Sequence, residues 1–222
     1  MKKISVAHLC RLFAASMSLT AVCACSTLRP TATPHPAFYS LESTRGAAPV
    51  AASTTSPAAP SATAPTLIIN PPHAAAGFDS PRIIYVRETH KLEYFAHSEW
   101  VDPPARMLAP LIVAAVENTG AFRAVVLTPS AAAGDLRLDT EIVRLQHEFQ
   151  TQPSRVRFTL RAYLVDDRTR RVLAWREFDA AVPAASEDPY GGVLAANRAV
   201  QTVLENLATF CAETARSART EK

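Results

Sequence analysis

Thiols, imidazoles and adjacent carboxylates are the groups in this sequence that could carry chemistry, and their spacing decides how far each can be taken. The 222-residue chain has four cysteines, Cys10, Cys23, Cys25 and Cys211, and six histidines. A zinc site needs ligands grouped on one turn or loop. His35, His73, His90, His97 and His147 are scattered, and His147-Glu148 lacks the second histidine that a zinc-protease helix supplies one turn later. Asp166 and Asp167 are adjacent carboxylates, but Arg168, Arg170 and Arg171 crowd them in a predicted hairpin turn. Asp is a standard turn former, and both are read as turn residues.

The sequence carries no glycine-rich phosphate loop, no dinucleotide fingerprint and no nucleophile elbow. Six glycines in the whole chain leave little material for a loop that binds anions through its backbone. No catalytic, cofactor-binding or metal-binding residue is therefore assigned, and the chain reads as a non-enzyme.

The thiols are more informative. Lys2, Lys3 and Arg11 make the N-terminus positive, and a largely apolar stretch then runs from Leu12 to Val22 with no acidic residue before Glu42. That stretch is shorter than the ~20 apolar residues a spanning helix needs, and it suits the core of an export signal. It closes on Val22-Cys23-Ala24-Cys25, which resembles a bacterial lipobox, with cleavage before Cys25 and lipid on its sulfur. Cys23 is an unusual residue two places before the acceptor, and it ranks below Cys25 as the acceptor because bulky Val22 would then sit at the cleavage site. An ordinary secretory signal cut nearby is the competing reading. Ser26, where enteric bacteria place aspartate for inner-membrane retention, points to the outer membrane, facing the periplasm.

Cleavage changes the charge and the thiol inventory. The full chain is formally +3, but all three basic residues of the signal leave with it, so 20 basic face 20 acidic side chains. A nucleic-acid binder is expected to keep a basic surplus, so that class is set aside. Cys10 and Cys23 leave too, and Cys211 remains as a small residue expected to be buried.

The expected organisation is a signal over 1–24, a lipidated tether over 25–36, a first strand over 37–42, a disordered insertion over 43–65, a domain over 66–215 and a tail over 216–222. The insertion is dominated by Ala, Pro, Ser and Thr, without hydrophobic period or aromatic residue, too little apolar surface to offset its ordering entropy. Strands are expected at 66–70, at 82–86 and 91–95 across a turn, and at 123–127, 135–145, 155–165 and 171–182. Residues 155–165 alternate most cleanly, with Val156, Phe158, Leu160 and Ala162 on one side and Arg155, Arg157, Thr159 and Arg161 on the other. The last strand is expected to contribute Leu173, Trp175 and Phe178 as its apolar contacts.

Asp102 is expected to cap a helix opened by Pro103-Pro104, with Met107, Leu108, Leu111, Ile112, Ala115 and Val116 on its apolar face and Pro110 inside it. A second helix is expected over about 187–215, with Val193, Leu194, Val200, Val203, Leu204, Leu207 and Phe210 as its stripe. The fold class is α+β, a mostly antiparallel sheet covered on one face by two helices.

Residues 94–108 hold the densest mixture of aromatic and basic groups. Tyr94 ends a strand, Trp100 precedes the helix and Arg106 lies in its first turns. These three are candidate partner-binding residues, since Tyr, Trp and Arg dominate interface hot spots; Trp100 also reads as a plug at the edge of the core. The same segment, together with Phe38-Tyr39-Ser40-Leu41, Arg82-Ile83-Ile84-Tyr85-Val86 and Arg176-Glu177-Phe178, resembles the ABC-type transport auxiliary lipoprotein family (PqiC-like proteins). The insertion at 43–65 departs from that pattern.

The resemblance implies an outer-membrane component of an MCE-type phospholipid transport system. It would dock a periplasmic MCE-domain protein that works with an ABC permease and ATPase or another integral membrane partner, and it could form a homo-oligomer. The competing classes are an assembly lipoprotein of another outer-membrane machine, a periplasmic lipid-binding carrier and an envelope hydrolase.

Overall fold

The computed structural model describes residues 35–42 and 63–220. The signal, Cys25, Ser26 and nearly all of the 43–65 insertion lie outside the described residues. The chain divides into two units, Met1–His35 and Pro36–Lys222, and every described strand and helix belongs to the second.

Among the described residues nine strands and two helices succeed one another in chain order: β1 (Ala37–Tyr39), β2 (Thr66–Ile69), β3 (His73–Ala74), β4 (Arg82–Val86), β5 (Glu93–Trp100), α1 (Pro104–Glu117), β6 (Ala124–Leu127), β7 (Leu136–Glu148), β8 (Arg155–Asp166), β9 (Val172–Pro183) and α2 (Pro189–Thr220). The long strand β7 organises the sheet. One edge pairs antiparallel with β8 from Leu136 opposite Asp166 to Glu148 opposite Arg155. Its other edge receives three short strands in succession, all parallel: β2 at Leu136–Leu138, β3 at Glu141–Ile142 and β4 at His147–Glu148. Outside these, β6 runs parallel to β2, β5 antiparallel to β4, and β1 parallel to β5, while β9 continues antiparallel beyond β8.

The α+β class and the helical cover are as expected, and the two longest ladders are antiparallel. The short pairings are mostly parallel, which alternation cannot reveal because it reports which face a residue takes and not the direction of its neighbour. β3 has no sequence signal at two residues. A shift in register between Ile142 and Arg144 changes the phase of β7. Leu136, Leu138, Thr140 and Ile142 are buried before it, Leu145 and His147 after it. That bulge is why the alternation in the sequence fades halfway along the strand.

α2 covers the apolar face of β8 and β9. Val156, Phe158, Leu160, Ala162 and Leu164 meet Ala199, Val200, Val203, Leu207 and Phe210 in one buried cluster with α1's Leu108, Ile112 and Val116. Each fully buried large aliphatic side chain contributes about 1.5–3 kcal/mol, so this cluster accounts for the clearest periodicities in the sequence. Phe178 meets Phe210 edge-on at 5.7 Å. Leu194 is exposed rather than part of the stripe, and α2 continues to Thr220, past the expected end at 215.

One expectation at the start of α1 is corrected, and the place of Pro110 inside the helix is as expected. Asp102 is not the cap: the cap position is Pro103, with no side-chain hydrogen bond, and Pro104 opens the helix with its φ already fixed. The Asp102 carboxylate instead accepts from the Arg106 guanidinium at 3.4 Å. Helix α1 also runs on through Pro110 to Glu117.

Candidate partner interface

The three aromatic and basic candidates separate once the chain folds. β5 extends to Trp100, and its indole is 3% exposed, packed into the main core. Trp100 therefore cannot meet a partner in this fold, and its part is the core plug. Tyr94 is 50% exposed, with the Arg82 guanidinium over its ring at 4.2 Å from the centroid. Arg106 is exposed on the first turns of α1, paired with Asp102. Tyr94 and Arg106 thus offer surface chemistry from different elements, each with its own neighbour, and Trp100 does not join them.

A polar surface covers the face of β7, β8 and β9 turned away from the helices, which was legible only as the polar half of an alternation. Register places Glu141, Arg161 and Glu177 in one row across three strands, and Arg161 bonds both carboxylates at 3.1 and 2.9 Å. Glu148 accepts from Arg155 at 2.9 Å and forms an ion pair with Arg157 at 3.2 Å, and Arg157 also donates to Asp179 at 3.1 Å. Burial acts to raise the Glu148 pKa, but hydrogen bonds from Arg155 and Gln146 and the charge of Arg157 together hold it below the usual carboxylate range. Exposed ion pairs are worth about 0–1 kcal/mol each, so this lattice shapes the surface more than it stabilises the fold. At one end of the face Trp175 is 62% exposed and stacks on Tyr163, centroids 6.4 Å apart. The expectation that Trp175 joins Leu173 and Phe178 as an apolar contact of β9 fails for this reason: register sets it opposite Tyr163 on the open face.

A buried polar centre closes the end of β7 near the start of α2. His147 is fully buried, with Nε2 2.8 Å from Ser154 Oγ and Nδ1 without a partner. The Ser154 amide donates to Glu187 at 2.9 Å, and the Gly191 amide donates to Asp188 at 2.7 Å, fixing the first turn of α2. Phe149 packs on the imidazole at 4.1 Å between centroids. Gly192 is required by this approach, since a Cβ there would fall 2.6 Å from Nδ1. Ser154 and His147 are both buried. No sequence spacing could have joined His147 to Ser154 and Glu187, because the β7–β8 loop and the α2 start meet only in the folded chain. Among the described residues no cluster of His, Cys, Asp and Glu could hold a metal ion.

Burial lowers the His147 pKa below 6.5, against the opposing charges of Glu187 and Asp188. A base whose pKa is depressed by folding takes up protons more readily unfolded, so stability is lost as pH falls through 6.5 towards the folded value. The urea midpoint is therefore expected to drop further between pH 7.5 and pH 5 for the parent than for His147→Gln, which keeps a partner for Ser154 but cannot charge. Equal drops in the two proteins would contradict the assignment.

No described helix is long and apolar enough to cross a membrane. A groove of about 310 Å³ lies between α1 and α2, lined by Leu111, Ala115, Val200, Leu204 and Ala208 together with polar residues. Cys211 lies on the buried face of α2, and that burial pushes its thiol up to about 12.

Comparison with solved structures finds a Xanthomonas campestris protein of the DUF330 family at TM-score 0.67 and 24% identity, covering 86% of this chain and 97% of that one. A further uncharacterised protein aligns at TM-score 0.60 and 12% identity, over 80% of this chain and 99% of that one. At these identities the two establish the fold. A comparison with curated proteins finds no match. The family model for the ABC-type transport auxiliary lipoprotein component matches residues 47–208, which include β2 to β9, α1 and most of α2. The chain belongs to the family of ABC-type transport auxiliary lipoprotein components.

Proposed function

We propose that this protein is an outer-membrane lipoprotein, held by lipid on Cys25 and facing the periplasm. In this reading it docks an MCE-domain partner of a phospholipid transport system powered by a separate ABC permease and ATPase. The observation that carries the reading is the family match over nearly the whole folded domain. Residues 1–24 are removed, 25–36 act as the tether and the α+β domain supplies the docking surface, with Tyr94 and Arg106 as contact candidates. The tether spans at most about 40 Å, from roughly 3.3–3.6 Å per extended residue.

Affinity purification of the tagged full-length protein from gently solubilised envelopes, with mass spectrometry of what accompanies it, tests this. Recovery of an MCE-domain protein is the expected result. Consistent recovery of a different outer-membrane machine without one would overturn it and favour an assembly role. The groove between α1 and α2 favours a second reading, a lipid carrier, since ligand sites begin at about 300 Å³. Stoichiometric phospholipid in native mass spectra of the purified domain would support that reading.

A further inference from the structure

Eight large apolar side chains stand exposed among the described residues, and four of them gather around one sheet edge. The edge is β1, which among the described residues pairs only with β5. Phe38 is 62% exposed and lies opposite Glu99 in register, while Val101 follows β5 directly and is 63% exposed. The Val101 amide donates to the Tyr39 carbonyl at 2.8 Å, which ties this corner to β1. On the helical side the Tyr39 ring meets Tyr190 at 6.4 Å, and Leu194 lies one turn further along α2, both exposed. Asn197 fastens the same strand end to α2, donating to the Ser40 carbonyl and accepting from the Glu42 amide at 2.8 Å. Segments about 60 and 150 positions away in sequence thus bring Phe38, Val101, Tyr190 and Leu194 to the rim where the chain enters the domain.

The geometry points to a lipid bilayer surface as the occupant of this rim, with these side chains entering the interface and setting the orientation of the domain. The inference rests on the proposed anchor at Cys25. Eleven residues separate Cys25 from Ala37, so the lipid permanently holds this rim, and no other part of the domain so directly, within about 40 Å of the membrane. The charges at the rim do not suit a headgroup clamp: Glu42 accepts from Ser40, and Glu99 lies opposite Arg82, whose guanidinium sits over the Tyr94 ring. Docking therefore proceeds by apolar insertion, the mode in which side chains sink into the boundary between headgroups and acyl chains. The tether supplies proximity and the rim supplies orientation, leaving the open face of β7, β8 and β9 free of the membrane.

The test uses the full-length lipidated protein in vesicles of phosphatidylethanolamine and phosphatidylglycerol containing brominated acyl chains. A polarity-sensitive fluorophore is placed on Val101→Cys and, as a control, on Val172→Cys at the start of β9. Cys211 does not compete for the label, because it is buried and its thiol is pushed up to about 12. Quenching about threefold stronger at position 101 than at 172 is expected, given an insertion depth of about 5–10 Å, and Phe38→Ser should reduce it. Vesicle-bound protein with equal quenching at both positions overturns the docking while leaving the anchor intact. Self-quenching at 101 that grows with protein density, without lipid quenching, assigns the rim to a second copy and overturns it equally. Protein that fails to float, with an unacylated Cys25 peptide by mass, overturns the anchor and the docking together.

Discussion

Replacing Cys25 with serine is expected to move the protein from the membrane fraction to the soluble or unprocessed fraction while leaving the domain folded. The acceptor in lipid transfer is a thiol, and a serine hydroxyl is far less nucleophilic at neutral pH. Each buried methylene of an acyl chain contributes about 0.8 kcal/mol to membrane affinity, so two or more chains make release negligible and their loss complete. The fold is not at stake, because the described elements begin at Ala37 and the core contains nothing upstream of Tyr39 among the described residues. Cys23→Ser is the matched control and should stay anchored. The check is fractionation with intact-mass measurement of the N-terminal peptide. Membrane retention of Cys25→Ser with acylation at Cys23 would reverse the assignment, and retention of neither variant's lipid would favour an ordinary secretory signal.

The second large effect is on stability. Trp100→Ala removes a fully packed indole from the junction of β5, α1 and the main core, and large aromatic-to-alanine changes in cores cost about 3–5 kcal/mol. Against a typical total of about 5–15 kcal/mol, that is enough to unfold a substantial fraction of a marginal domain. Arg106→Ala loses only an exposed pair with Asp102, worth about 0–1 kcal/mol. Tyr94→Ala loses a half-exposed ring beneath Arg82, an interaction of about 0.5–1 kcal/mol at such sites.

Urea unfolding of the three variants separates the roles. A midpoint for Trp100→Ala within error of the parent would sink its place in the core. Loss of partner capture in that variant reports a damaged fold, so interface mapping belongs to Tyr94→Ala and Arg106→Ala. Those two should stay within about 1 kcal/mol of the parent whether or not they bind.

What the sequence determined by itself is local and periodic. The charge, length and closing residues of the first 25 positions are the grounds on which export and an acyl acceptor at Cys25 are proposed, and they need no fold. Alternation over 155–165 shows which side of β8 is buried, and the 3.6-residue stripe of α2 shows what meets it, since burial of either face obeys a fixed period. The resemblance carried by Phe38-Tyr39-Ser40-Leu41 and the segment around Trp100 pointed to the family, and Leu41 and Trp100 of these segments lie in the core.

The tertiary structure decided what periodicity leaves open. Alternation assigns faces but not neighbours, so it could not show that β2, β3 and β4 share one edge of β7, or that their pairings are parallel. It could not tell whether Trp100 stood at the surface or in the core, because one aromatic residue before a helix fits either place. The joining of Ser154 to His147 and Glu187, and of Tyr39 to Val101 and Tyr190, depends on contacts between positions far apart in the chain. Local pattern sets which residues are apolar and how they repeat. Which surfaces then meet is settled by packing the whole core at once, and only there do buried polar groups and exposed apolar ones find their positions.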